Sequence, residues 1–553
     1  MPQTPPSNRF SRAADSAREI LGNFKGTSWL IGGPEGQVSH TLRQGFLAAV
    51  LIMVGSWGVG WLVMVPGSWL QLHQWLLPVR TTTAGVIICA VLLVFGALLL
   101  LRSWLRLSQR ITGWDHDVAL PTMRKAVLLW GAPLLACFPI FSRDVFSYLA
   151  QGGLLQAGQN PYEAGVSELP GWYGIGADEL WAESPSPYGP LFLLLARGIW
   201  FLSNGTPELA VLLFRALSVF GVALMLLIIP MLARAFGSQP AWAIWLCLLN
   251  PVSLIVFIPA AHNDALMMGL ALAGIWYALR RRRLASWLLL IAAVAIKPVA
   301  MVLLPFAVLL PLRDTGNYLH RIREWALAGC LAAGLLFGGG WLIGVGIGWF
   351  TTALGAGGEA FQAAPVGLLG LGLGWLIEAA GGPGHQETAG WFYAAARILS
   401  AVVLTVMLLR PALGNPVLWA AYGLTVVILT SSIIQPWYLL WLLPLYAVVH
   451  VYRGRALMLV TLLITVMTLL AMVGQLSVAQ WLDSVLVQLI ALGVAAAYLI
   501  YIVLLDPNTA AMFQLRERSE RWNTTDGWLR LNRLSTPETS WSVTSLTHRA
   551  GQT

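Results

Sequence analysis

A chain of 553 residues that is 58% hydrophobic and only 10% charged, with a mean hydropathy of +0.72, carries too little charge to cover a water-facing surface of its size. The net charge of +9 does not point to nucleic acid, because the arginines sit in short clusters between apolar runs, as membrane topology signals do. Runs of about 20 apolar residues match the hydrocarbon core of a bilayer. The expected fold class is therefore all-α, a polytopic integral membrane protein in contact with membrane lipids.

Residues 1–43 are polar, rich in Pro, Ser and Arg, and lack the pattern of a cleavable signal peptide; they read as a disordered cytoplasmic tail. Candidate spans lie at roughly 44–65, 83–101, 126–141, 208–233, 241–259, 264–279, 285–311, 325–348, 391–409, 416–433, 437–452, 456–475 and 482–505. The stretch 188–203 is too short and interrupted for a span, and placing it in the interface keeps Arg280 to Arg283 inside. Within 285–311, proline disfavours helical geometry at the residue before it, so Lys297-Pro298 predicts two short helices meeting near the outer surface. This threading gives about 14 passes across 44–505, with both termini inside and a second polar cytoplasmic tail over 506–553. The four cysteines, Cys89, Cys137, Cys247 and Cys330, lie in apolar segments without a CxxC pair and are expected to pack as small hydrophobes.

All but six of the 33 Lys and Arg residues then fall on the cytoplasmic side or at its edge. Arg80, Arg143, Arg197, Arg215, Lys297 and Arg397 are left at or near the outer face, where they either snorkel or bind an anion. Acids gather on the same face: Asp144, Glu163, Glu168, Asp178, Glu179 and Glu183 in the loop 141–187, with Asp264 and Glu359 at other outer ends.

That loop opens with FSRDVFSYLAQGG from Phe141. The spacing of Phe146, Leu149, Leu154 and Leu155 predicts a short interfacial helix with its aromatic side inward. Asp144 at its start is most simply a cap that also pairs with Arg143. Other outer turns carry further polar groups. His262, Asn263 and Asp264 interrupt two apolar runs, Lys297 sits at the helix break, and Gln435-Pro436-Trp437-Tyr438 joins polar to aromatic side chains that an interfacial belt would also contain. A carboxylate able to take a proton, cations able to bind a phosphate, and aromatics beside a lipid entrance suit a transferase with a lipid-phosphate donor. No Gly-rich phosphate loop supports a nucleotide donor.

At these residues the sequence resembles the GT-C glycosyltransferases, whose first large outer loop carries the catalytic acid. Tyr188-Gly189-Pro190-Leu191 stands where that superfamily has a Pro-Pro-Leu segment, with glycine replacing the first proline, and Phe214-Arg215-Ala216 enters the next span. More narrowly, FSRDVFSYLAQG, NPYE, SPYGPL, HNDALM, IKP and QPWYLLWLLP, from Phe141 to Pro444, resemble the actinobacterial polyprenol-phosphomannose-dependent α-1,6-mannosyltransferases of the MptA/MptB type, with a leaning to MptB.

The resemblance implies a multi-pass plasma-membrane enzyme with a periplasmic catalytic loop, using polyprenyl-phosphate mannose as donor. The acceptor it implies is a lipid-anchored α-1,6-mannan of lipomannan and lipoarabinomannan. It implies Asp144 as general base, Arg215, Lys297 and Arg143 on the donor phosphate, and Tyr148, His262, Asp264, Gln435, Trp437 and Tyr438 on substrate. The scheme requires no metal or other cofactor, although a carboxylate cluster could hold a divalent cation. An enzyme using another lipid-linked sugar, such as arabinofuranose, is the nearest alternative. A lipid-linked sugar transporter is another, but it predicts two similar halves, and no internal repeat is visible.

Overall fold

The computed structural model describes residues 38–111, 117–312, 317–355, 364–410, 414–452, 454–476 and 484–506, together with Thr509 and Phe513. Most of both tails, Arg313 and Glu359 lie outside these residues. The described residues are helical, without strands. The chain runs through α1 (Val38–Val59), α2 (Thr83–Arg110), α3 (Ala119–Leu134), α4 (Asp144–Gln156), α5 (Pro190–Ser203) and α6 (Pro207–Phe236). It continues through α7 (Pro240–Cys247), α8 (Pro251–Phe257), α9 (Asp264–Leu279), α10 (Arg283–Ile296), α11 (Tyr318–Leu342) and α12 (Gly348–Gly355). The last six are α13 (Pro365–Ala379), α14 (His385–Leu408), α15 (Pro416–Leu429), α16 (Leu439–Val449), α17 (Gly454–Leu476) and α18 (Ser484–Ile500).

Seven helices among the described residues are long and apolar enough to cross a membrane, and α7 with α8, bent by 62° at their junction, makes an eighth if counted as one broken span. Other runs of the sequence form shorter apolar helices, α9, α10, α15 and α16 among them. A helix of about 15 residues spans roughly 22 Å, short of a hydrocarbon core of roughly 30 Å. At its ends the backbone leaves the helix inside protein; residues 258–263, between α8 and α9, are all buried. That is the setting in which irregular backbone survives at membrane depth. Among the described residues, length and composition alone thus give seven or eight helices able to cross, where the threading expected about 14.

The core joins long and short helices, and α1 packs most extensively on α2. Helix α6 packs on α9, α9 on α10, α4 on α5, and α16 against α6, α7 and α15. Small residues set the closest approaches: a Cβ on Gly221 of α6 would strike the backbone of Ala265 in α9. Trp104 of α2 and Trp245 of α7 stack at 4.8 Å and exchange indole-to-carbonyl hydrogen bonds of 3.0 and 2.9 Å, which satisfies two polar groups that lipid could not. Cys89, Cys137 and Cys247 are buried and Cys330 is exposed on α11, all as free thiols.

Two local expectations change. Asp506 does not open a solvated tail; it is buried and accepts from Arg102 Nε at 2.7 Å, an ion pair that anchors the end of the last helical segment. The predicted interfacial helix forms as α4 but does not lie half-exposed in the interface, since every residue from Val145 to Leu155 is buried. Gly152 makes this enclosure possible, because a Cβ there would collide with the Ala196 carbonyl of α5.

Candidate active site

The site begins with the turn before α4. Phe141 takes a left-handed φ of 68°, uncommon for a bulky residue and sustained only where surroundings enforce it. Here Gln475 of α17 does so: its Oε1 accepts from the Phe141 amide at 2.6 Å while its Nε2 donates to the Val59 carbonyl of α1 at 2.6 Å. The turn delivers Asp144 as the first residue of α4, after the cap residue Arg143.

The expected cap and ion pair do not form at this position. The Asp144 amide donates to Ser142 Oγ at 3.1 Å, and the carboxylate instead faces a cavity of about 570 Å³. Arg143 turns the other way. Its guanidinium donates to the carbonyls of Gly176 (3.1 and 2.9 Å) and Ala177 (2.9 Å) and lies 5.1 Å over the Trp61 ring. It holds the loop around Gly176 and Ala177 to the bundle rather than lining the cavity.

Lys297 reaches the same cavity from the helix break predicted for it. Helix α10 ends at Ile296, and Lys297 adopts an extended backbone (φ −143°, ψ 115°) before the 3₁₀ turn Pro298–Val302. Gly189 presses against this break: its amide donates to the Ile296 carbonyl at 3.1 Å, and a Cβ would collide with the Ala295 carbonyl. Proline at 189 would supply neither the donor nor the room, which accounts for glycine in the Tyr-Gly-Pro-Leu segment.

Behind the wall, Asp264 is the first residue of α9 and fully buried. Its Oδ1 accepts from Lys297 Nζ at 2.8 Å and Trp441 Nε1 at 2.5 Å, and its Oδ2 faces His262 Nδ1 at 3.2 Å. The same His262 nitrogen lies 3.8 Å from Asp144 Oδ2, and the imidazole sits 4.4 Å from the Trp437 ring. A buried charge needs partners, and Asp264 has three. Lys297 also lies over the rings of Tyr188 (5.7 Å) and Trp441 (5.1 Å), which keeps its ammonium at the cavity edge with only 12% of the side chain exposed. Burial, and then the nearby Asp144 charge, pushes the Tyr188 phenol well above its ordinary range, so it stays a neutral hydroxyl.

Gln435, Trp437 and Tyr438 also line the cavity, from the loop and 3₁₀ turn that precede α16, with Tyr438 stacked on Trp441 at 4.1 Å. Five of the expected residues therefore meet at the cavity: Asp144, Lys297, Gln435, Trp437 and Tyr438. His262 and Asp264 stand directly behind them. Arg215 does not meet them; its Nε, Nη1 and Nη2 donate to the carbonyls of Ile258 (2.9 Å), Leu135 (2.6 Å) and Pro259 (3.0 Å). It pins the irregular backbone that leads to His262, next to Ser218, whose Oγ also bonds the His262 carbonyl at 3.0 Å. Tyr148 does not line the cavity; it stands behind Tyr188, in a cluster with Tyr188, Phe192 and Phe214 at ring separations of 5.1, 4.9 and 5.6 Å.

Sequence reading passed over Ser147 and Gln151, which line the cavity beside Asp144, and Trp441, the indole on Asp264. The available signal was helical spacing: three and seven residues after Asp144, and three after Tyr438, return to the same face. Among the described residues no group of three His, Cys, Asp or Glu side chains is arranged to hold a metal ion.

Residues 42–313, which carry every site residue up to Lys297, match the MptA/MptB family model described as "Alpha-(1->6)-mannopyranosyltransferase, N-terminal domain". An alpha-(1->6)-mannopyranosyltransferase A of Mycobacterium tuberculosis is 29% identical over 476 residues, covering 81% of this chain and 86% of that one. A probable alpha-(1->6)-mannopyranosyltransferase of Mycolicibacterium smegmatis is 28% identical over 444 residues, covering 74% and 78%. Over a shorter stretch of 247 residues, 43% of this chain and 40% of the other, a Corynebacterium glutamicum alpha-(1->6)-mannopyranosyltransferase B is 29% identical. No solved structure matches the chain. Together with an all-α membrane fold around a cavity lined by a carboxylate and an ammonium group, these similarities support an MptA/MptB-type membrane mannosyltransferase.

Proposed function

We propose that the protein is an inverting GT-C glycosyltransferase that moves mannose from polyprenyl-phosphate mannose to the 6-hydroxyl of a lipid-anchored α-1,6-mannan, in lipomannan and lipoarabinomannan synthesis. The reaction takes place on the periplasmic face of the plasma membrane, with both termini cytoplasmic. The observation that carries this reading is the Asp144 carboxylate, open to the cavity with the His262 imidazole 3.8 Å away.

Asp144 takes the proton of the acceptor 6-hydroxyl as its oxygen attacks the anomeric carbon. The bond from that carbon to the phosphate oxygen breaks on the opposite face, so a β-linked donor yields an α-linkage in one displacement. Lys297 offsets the negative charge that grows on the departing phosphate, and it acts in a cavity where water does little to screen it. His262 and Asp264 hold Asp144 and Lys297 in place, and the Trp437 and Tyr438 rings give flat apolar faces against which sugar rings pack. Arg143 and Arg215 serve this chemistry through the backbone they anchor. The scheme uses no cofactor.

The deciding experiment is transfer by purified protein from polyprenyl-phosphate mannose to an α-1,6-mannoside, wild type against Asp144→Asn. No transfer by the wild type overturns the donor; undiminished transfer by the variant overturns Asp144 as base.

A further inference from the structure

Ser147 and Gln151 follow Asp144 by three and seven residues and share its face of α4. All three line the cavity. Ser147 is only 8% exposed, yet among the described residues its hydroxyl has no hydrogen-bond partner. Gln151 is likewise buried, and its Oε1 accepts from Ser186 Oγ at 3.0 Å, which fixes the amide against the wall. A buried hydroxyl without a partner costs stability. In a cavity wall one turn from the base, such a group is placed for a ligand rather than for the fold.

We propose that Ser147 and Gln151 form a polar wall that hydrogen-bonds ring hydroxyls of the acceptor sugar and so selects the acceptor. The inference rests on the mannosyl transfer proposed above. In-line displacement puts the attacking oxygen and the leaving phosphate on opposite sides of the anomeric carbon. Lys297 marks the phosphate side and Asp144 the attacking side, so the helix face that continues from Asp144 belongs to the acceptor. Tyr148, one residue along, is turned to the aromatic cluster and takes no part.

The test compares wild type, Ser147→Ala and Gln151→Glu, the last keeping an oxygen for Ser186 while removing the amide donor. Transfer from polyprenyl-phosphate mannose is measured to an α-1,6-mannoside and to analogues lacking single ring hydroxyls. For Ser147→Ala the acceptor KM rises about three- to tenfold, as expected for one lost neutral hydrogen bond, while the donor KM is unchanged. One deoxy acceptor is used equally by wild type and variant, and the thermal midpoint in detergent stays level or rises. An unchanged acceptor KM, a rise confined to the donor KM, equal losses on every deoxy acceptor, or a lowered midpoint accompanying the activity loss overturns the acceptor wall alone. No transfer by the wild type overturns the proposed function and the wall together.

Discussion

Asp144 and Asp264 occupy the same kind of place: each is the first residue of a helix that follows an apolar run at one end of the bundle. Their surroundings differ. Asp264 is fully buried and engaged by Lys297, Trp441 and His262, whereas Asp144 is 18% exposed along its side chain and, among the described residues, faces the more distant His262 ring at 3.8 Å. A carboxylate saturated by three donors is a fixed charge that positions cations. A carboxylate left open on a cavity wall can exchange a proton with a substrate. His262, within 3.2 Å of one and 3.8 Å of the other, links the two.

Neutralising each acid in turn is the direct way to break that comparison. Asp144→Asn is expected to lower transfer by about 10²- to 10⁴-fold, the range for loss of a general base, with an unfolding midpoint close to wild type, because no donor is orphaned. A matching loss of stability would place Asp144 with Asp264 as a structural charge. Asp264→Asn leaves the buried Lys297 ammonium without its counter-charge and is expected to cost about 3 to 5 kcal/mol of stability, read by thermal unfolding in detergent, along with activity. If its stability were untouched while transfer disappeared, the division of labour would be reversed.

Smaller perturbations sharpen the contrast at the edges. Gly189→Ala forces a methyl into the Ala295 carbonyl and should lower stability by about 1 to 3 kcal/mol, as overpacking does. It should also weaken donor use, because the segment that yields carries Lys297. Arg143→Gln removes the guanidinium from the Gly176 and Ala177 carbonyls. The expected result is faster proteolysis of the 141–187 loop with transfer reduced only severalfold, since those charged hydrogen bonds, about 1.5 to 3 kcal/mol each, hold the loop rather than the substrate. A loss as deep as that of Asp144→Asn would instead put Arg143 on the substrate.

Much of this was legible in the residues. The helix start at Asp144, the break at Lys297-Pro298 and the polar turn at His262-Asn263-Asp264 follow from local rules of proline geometry and apolar patterning, and each appears where expected. The facing of side chains was less legible. Tyr148 looked like a site residue and Ser147 did not, yet a rotation of about 100° per residue separates them. On a helix with one wet face, hydropathy would have chosen between them; α4 is buried all round, so its pattern holds no such signal. Arg143 and Arg215 illustrate the same limit. Their positive charge at an unexpected level marked them as needing partners, but backbone carbonyls satisfied that need as well as a phosphate would.

The sequence by itself determined the solvent, the helical class and the few places where charge enters apolar segments, because the energy of placing a polar group in hydrocarbon is set residue by residue. Only the tertiary structure decided which of those charges are spent on one another and which are left facing the cavity. That choice depends on contacts between segments far apart in the chain: Gln475 on Phe141, Trp441 on Asp264 and Gly189 on Ile296. No local property of α4 reveals that its Asp144 is the carboxylate left open.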